Sequence, residues 1–232
     1  MTLAAVLWDM DGTLVDTEPY WIAREFELVD QFGNGAWTDE HAHALIGFDL
    51  RDSARYMIEH GAIDLPVDDV VNRLLDGVIE RVAQHVPWRP GARELLADLA
   101  AHGIPCALVT MSWRRFTDAI VPVLPPGSFA TVVAGDDVVH GKPHPEPYLV
   151  AASRLGVDPA QCVAIEDSPT GARSALAAGC CTIAVPNAVA VPTDAAHHHL
   201  STLDGVTAAE LQSLWSTWSD GIIAPASMLE RS

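Results

Sequence analysis

Asp9 and Asp11 stand two residues apart in Trp8-Asp9-Met10-Asp11-Gly12-Thr13, where the apolar run over residues 3–8 ends. On a strand, residues two apart face the same side, so the two carboxylates converge on one point. Carboxylates that close repel unless one takes a proton or a cation sits between them. Gly12 then lets the backbone turn sharply away. This suits a nucleophilic carboxylate beside a carboxyl acid/base, with a metal in front.

Three further stretches continue the pattern. Ala107-Leu108-Val109-Thr110 is an apolar run ending in a hydroxyl residue. Gly141-Lys142-Pro143 sets a lone lysine in a turn, and Val163-Ala164-Ile165-Glu166-Asp167-Ser168 is a second apolar run ending in acids. Acid pair, hydroxyl, lysine and second acid pair follow in that order, mostly at strand ends. In open α/β sheets the carboxyl ends of the strands line the ligand crevice. With these motifs the chain resembles the haloacid dehalogenase-like superfamily of phosphatases and phosphomutases. The stretches 141–148 and 166–171 look like the branch that includes β-phosphoglucomutase and 2-deoxyglucose-6-phosphate phosphatase. The resemblance covers nearly the whole chain.

The resemblance implies a role for each residue. Asp9 is the nucleophile that would form an aspartyl-phosphate, splitting hydrolysis into two easier steps. Asp11 is the general acid/base and must be protonated for the first step. Thr110 and Lys142 would hold the phosphoryl oxygens, the lysine as a point charge. Backbone N–H groups after Thr110 should help, with Met111 standing where the family usually has a small polar residue. Oxygen ligands alone suit Mg²⁺. The Asp9 and Asp167 side chains with the Asp11 backbone carbonyl are the implied ligands, and Glu166 is a direct ligand or stands behind one. Trp21, Phe48 and Arg51 belong to the expected cap, with Trp21 and Arg51 as its candidates for contacting substrate.

The elements that must position these groups are strands over residues 3–8, 104–110, 129–134, 163–165 and 182–185. Helical patterns separate the later ones. Ala92, Leu95, Leu96 and Leu99 share one face, and residues 145–156 and 170–179 give two more helices, each stopped by glycine. Alternating strand and helix predicts an α/β fold, a Rossmann-like parallel sheet covered on both faces. Residues 16–88 hold no strand pattern and read as helices over 19–32, 39–46, 50–60 and 67–86. Such a stretch is too long for a loop. It is read as an inserted α-helical cap, leaving 1–15 and 89–232 as the core. Residues 187–202 and 220–232 read as loop or tail.

Composition bounds the partners. The chain carries 13 Lys+Arg against 31 Asp+Glu, a formal net charge of -18 over 232 residues. That disfavours nucleic acid, which needs clustered Lys and Arg, and disfavours an anionic membrane surface. A small phosphorylated metabolite is the expected partner, and a monomer the expected state. No stretch is long and apolar enough to span a bilayer, and the start lacks a basic n-region. Cys106, Cys162, Cys180 and Cys181 lack metal-ligand spacing and read as buried reduced thiols, which fits a cytoplasmic protein. His197-His198-His199 reads as a solvated loop, since neighbours on an extended segment point alternately. His140 and His144 flank Lys142, and at most one is expected to support the site.

The expected activity is Mg²⁺-dependent hydrolysis of a small phosphate monoester, with a sugar phosphate implied by the resemblance. A phosphomutase is the alternative. Mutases of that type look as if they use a cap histidine and a cap arginine, where this chain has Trp21 and Leu50, with Arg51 adjacent. A metal-independent dehalogenase would leave Asp11 and the second acid pair with less purpose. A non-catalytic binding protein would need a defect outside the motifs.

Overall fold

The computed structural model describes residues 2–45 and 50–223. Phe48, one of the expected cap residues, lies outside them. The chain divides into two compact units. One takes the chain up to Val15, Trp88–Asp118 and the chain from Leu124 onward; the other takes Asp16–Pro87 and Ala119–Val123.

The first unit is built on β1 (Ala5–Trp8), β2 (Cys106–Val109), β3 (Thr131–Val133), β4 (Cys162–Glu166), β5 (Cys181–Ala184) and β6 (His198–His199). They form one six-stranded sheet in the order β3-β2-β1-β4-β5-β6, with every pairing parallel. Every residue of β1, β2, β4 and β5 is buried. Apart from Thr182 and the site residue Glu166 these strands are apolar, as a sheet covered on both faces requires. Leu7 pairs with Ala107 on one side and Ala164 on the other, so β1 is central. The strand order reverses beside β1, where a crevice opens at the strand ends of such sheets.

The second unit is helical: α1 (Glu18–Phe32), α2 (Asp39–Ala44), α3 (Leu50–His60) and α4 (Val67–Gln84). Pro19 sits in the first turn of α1, where its missing N–H costs nothing. Thr38 and His41 cap the start of α2 reciprocally. On α4, Val70, Val71, Leu74, Leu75, Val78 and Val82 are all buried, the i, i+3, i+4 face that the sequence shows. α4 packs against both α1 and α3.

Among the described residues the first unit also carries the α-helices α5 (Ala92–Ala101), α6 (Arg114–Ile120), α7 (Glu146–Leu155), α8 (Pro169–Ala177) and α9 (Ala208–Ile223), with the end of α6 grouping with the helical unit. Tyr148, Ala151 and Ala152 of α7 join Leu7, Ala107 and Ala164 of the sheet in one core cluster. The four cysteines are buried and free. No helix among the described residues is long and apolar enough to cross a membrane.

Two expectations need correction. The segment 187–202 is not all loop: His198 and His199 form an edge strand beside β5. Residues up to 223 are not tail, because α9 extends over them. Its buried face, Ala208, Leu211 and Trp215, has helical spacing, and the Trp215 indole donates to Ala160 O at 3.0 Å.

Candidate active site

β1, β2 and β4 end side by side, and their carboxyl ends deliver Asp9, Thr110, Glu166 and Asp167. All four are buried. Lys142 reaches them from the loop before α7, its side chain only 5% exposed. Its ammonium donates to Asp9 Oδ1 at 2.7 Å, to Glu166 Oε1 at 2.7 Å and to Val109 O at 2.9 Å. All three N–H groups of the lysine are therefore committed. What it offers an incoming anion is charge rather than a spare donor.

Glycines make these approaches possible. Gly12 adopts φ +90°, and a Cβ there would collide with the Asp167 carboxylate. Gly171, in the first turn of α8, has its open side against the Glu166 carboxylate in the same way. Ser168 caps α8 by accepting from Gly171 N at 3.0 Å, and its hydroxyl also lies 3.2 Å from Glu166 Oε2. Thr13 donates to Asp167 Oδ1 at 3.3 Å.

The balance of charge in this buried cluster is unfavourable as it stands. Carboxylate oxygens of Asp9, Glu166 and Asp167 lie within 4.8 Å of one another, against one ammonium. Burial, then the Glu166 charge, pushes Asp9 well above the ordinary carboxylate range, and Lys142 only partly offsets it. The same two causes push Asp167 up to about 7. Burial alone would lower Lys142, but the Asp9 and Glu166 charges outweigh it and raise it above its ordinary value. Asp9 Oδ2 is buried without a hydrogen-bond partner. Such an orphan in a cluster rich in negative charge is what a divalent cation would satisfy, so the residues fit a metal ion.

Each expected site residue has a place. Asp9, Lys142, Glu166 and Asp167 come together. The Asp11 side chain is not in that group of acids: its Oδ2 accepts from Ser112 Oγ at 2.7 Å and from Thr110 Oγ1 at 3.4 Å. Thr110 Oγ1 in turn accepts from Ser112 N at 3.0 Å. Met111 is exposed, and its sulfur accepts from Lys142 N at 3.3 Å, so it braces the lysine loop. Trp21 on α1 and Arg51 on α3 belong to the helical unit, where Trp21 is half-buried and Arg51 is ion-paired with Asp68.

Two partners escaped the sequence reading. Ser112 holds Asp11, and Tyr148, fully buried, donates to Glu166 Oε1 at 2.6 Å. The signal for Tyr148 was its place early in a helix that starts just after Lys142, which turns its phenol back toward the strand ends. The histidine run does not gather a ligand group among the described residues. His197 Nδ1 accepts from Thr182 N at 2.9 Å, while His198 Nε2 lies 3.1 Å from Leu214 O.

Fold and site together define an α/β enzyme with a buried acid–lysine cluster at the switch point of a parallel sheet. The family model for haloacid dehalogenase-like hydrolases matches residues 6–185, and the chain belongs to that family. Protein CbbY of Rhodobacter capsulatus is 32% identical over 197 residues, covering 81% of this chain and 87% of the relative. Hexitol phosphatase A of Escherichia coli is 33% identical over 193 residues, covering 80% and 84%. Among solved structures, CbbY from Rhodobacter sphaeroides in complex with phosphate superposes with a TM-score of 0.78 at 26% identity, over 91% of this chain and 99% of that one. The chain is a hydrolase.

Proposed function

We propose that the protein is a Mg²⁺-dependent phosphatase that hydrolyses a small phosphate monoester, a sugar phosphate by class, through an aspartyl-phosphate. The observation that carries this is the asymmetry of Asp9. One of its oxygens is held by Lys142 at 2.7 Å, and the other is buried without a partner among acids that suit a cation. Asp9 and Asp167 would hold the metal, with the Asp11 backbone carbonyl. Glu166 stands behind them, since its oxygens already accept from Lys142, Tyr148 and Ser168. A bound Mg²⁺ supplies positive charge that lets an anionic nucleophile approach an anionic ester.

Asp9 attacks phosphorus; an Asp9 oxygen–phosphorus bond forms as the bond to the leaving oxygen breaks. Asp11 gives its proton to that oxygen. Water then attacks the aspartyl-phosphate, Asp11 takes the proton back, and phosphate leaves with Asp9 restored. Thr110, Ser112 and the backbone around Met111 orient Asp11 and the phosphoryl oxygens. Relatives named hexitol phosphatase and phosphoglycolate phosphatase support the substrate class.

The test is a screen of hexose phosphates, hexitol phosphates, phosphoglycolate and nucleoside monophosphates, with Mg²⁺ and after chelation. Phosphate release should need Mg²⁺, and Asp9→Asn should reduce it to background in a folded protein. Undiminished turnover after thorough chelation, or full activity in Asp9→Asn, would overturn the reading.

A further inference from the structure

The loop that carries Lys142 holds a second group of metal-type donors, outside the acid cluster. His140, His144 and Glu146 bring a ring nitrogen each and a carboxylate oxygen within 4.8 Å of one another. The two imidazole rings lie 4.7 Å apart, tilted 35°. Both histidines are exposed, while Glu146 is partly shielded. We propose that His140, His144 and Glu146 form a surface site for a borderline divalent transition metal of the Zn²⁺ class.

The distances suit that ion. Tetrahedral zinc bonds nitrogen and oxygen at about 2.0–2.2 Å, which sets neighbouring ligand atoms about 3.3 Å apart. His140 Nδ1 is 2.9 Å and His144 Nδ1 is 3.9 Å from the same oxygen, Glu146 Oε2, so the separations bracket that value. The donor set separates this site from the first one. Two imidazoles and one carboxylate suit zinc, whereas carboxylates without imidazole suit Mg²⁺.

The carboxylate is already fixed, and each imidazole would exchange one exposed hydrogen bond for the ion. Glu146 Oε1 accepts from Val139 N at 2.8 Å and Oε2 from His140 N at 3.0 Å, which fixes the carboxylate toward the loop. His144 Nδ1 accepts from Glu146 N at 3.2 Å, so it is unprotonated, and an ion would take its lone pair in place of that exposed hydrogen bond. A shift of the His140 proton from Nδ1 to Nε2 frees the third donor without changing its charge. A shallow surface depression on the side of His144 and Glu146, lined also by Leu149, Val150, Ser153 and Arg154, leaves those two side chains open to water. An ion here ties both flanks of Lys142 to the first turn of α7.

The test is a Zn²⁺ titration of the untagged chain in excess Mg²⁺, with zinc-edge X-ray absorption to count imidazole ligands and a thermal melt at one equivalent. The wild-type chain should bind one equivalent carrying two imidazoles and melt at a higher temperature with it. His140→Asn and His144→Asn, both exposed positions, should each weaken that binding by about tenfold or more and remove the thermal shift. His198→Asn with His199→Asn should change neither. An imidazole-ligated equivalent that survives in His140→Asn/His144→Asn, or that is lost with His198 and His199, overturns the proposal. These readouts do not depend on turnover at Asp9.

Discussion

Asp11 keeps its carboxylate on the Ser112 hydroxyl at 2.7 Å, while Lys142 grips Asp9. Two acids two residues apart are thereby given different neighbours, as the proposed division between attack by one and proton transfer by the other requires. Asp11→Asn should lose about 10²–10⁴-fold in turnover on alkyl phosphates, the usual worth of general acid–base help. On p-nitrophenyl phosphate, whose leaving group departs unaided, the loss should be smaller. Equal losses in parallel kcat measurements on the two esters would mean that Asp11 acts only on the attacking water or on structure. At this scale the sequence was readable wherever a residue type has its own chemistry: Asp9, Lys142, Glu166 and Asp167 do meet. Ser112 and Tyr148 were not, because a hydroxyl that supports a carboxylate looks like any other until the fold joins partners such as Ser112 and Asp11, 101 residues apart.

The turn after β1 is as much part of the site as the acids are. Gly12 sits at φ +90° with its open side against the Asp167 carboxylate. Gly12→Ala adds a strained backbone, worth about 1–3 kcal/mol, and pushes Asp167 away from Asp9. Its melting temperature should drop and its turnover fall by about 10²-fold or more, the scale of loss that a small misplacement brings; a melt and steady-state kinetics check both. In the helical unit, Glu25 of α1 is only 5% exposed, and one of its oxygens is buried without a partner. Burial and then the Glu18 charge raise it from 4.5 to about 8. A carboxyl raised on folding binds its proton more tightly in the native state. Its contribution is therefore fully present below pH 4.5 and is lost as pH rises to about 8. Glu25→Gln, which keeps the shape and cannot ionise, should match the wild-type melting temperature near pH 4.5 and exceed it by several degrees near pH 8. A constant difference across that range would show that Glu25 does not titrate there. Among the elements, those with a clean period were legible, as α4 was. β6 was not, since a two-residue edge strand is defined by its partner β5 and carries no period of its own. The α9 pattern of Ala208, Leu211 and Trp215 was present, but surrounding Ser and Thr residues diluted it.

Across the whole molecule there are 31 acids against 13 basic residues, so for the proposed function to hold, attraction for an anionic ester would be local, from Lys142 and a cation held by the acid cluster. What happens after phosphoryl transfer to Asp9 depends on which nucleophile comes next. A mutase must keep a bisphosphate bound and present a sugar hydroxyl in place of water. That calls for a second anion grip and a group to orient the hydroxyl. In the helical unit Trp21 is an indole, which cannot serve as a base, and Leu50, which opens α3, cannot grip an anion. Arg51 follows it, but its guanidinium is already paired with Asp68 on α4. On the proposed function, water is the acceptor. With β-glucose 1-phosphate and a bisphosphate primer, inorganic phosphate should be released and glucose 6-phosphate should not accumulate faster than it. Trp21→Ala should change the preference among phosphate esters more than the rate on p-nitrophenyl phosphate, which has no sugar to position. Glucose 6-phosphate outpacing free phosphate in a time-resolved product analysis would replace hydrolysis with mutase chemistry at the same Asp9.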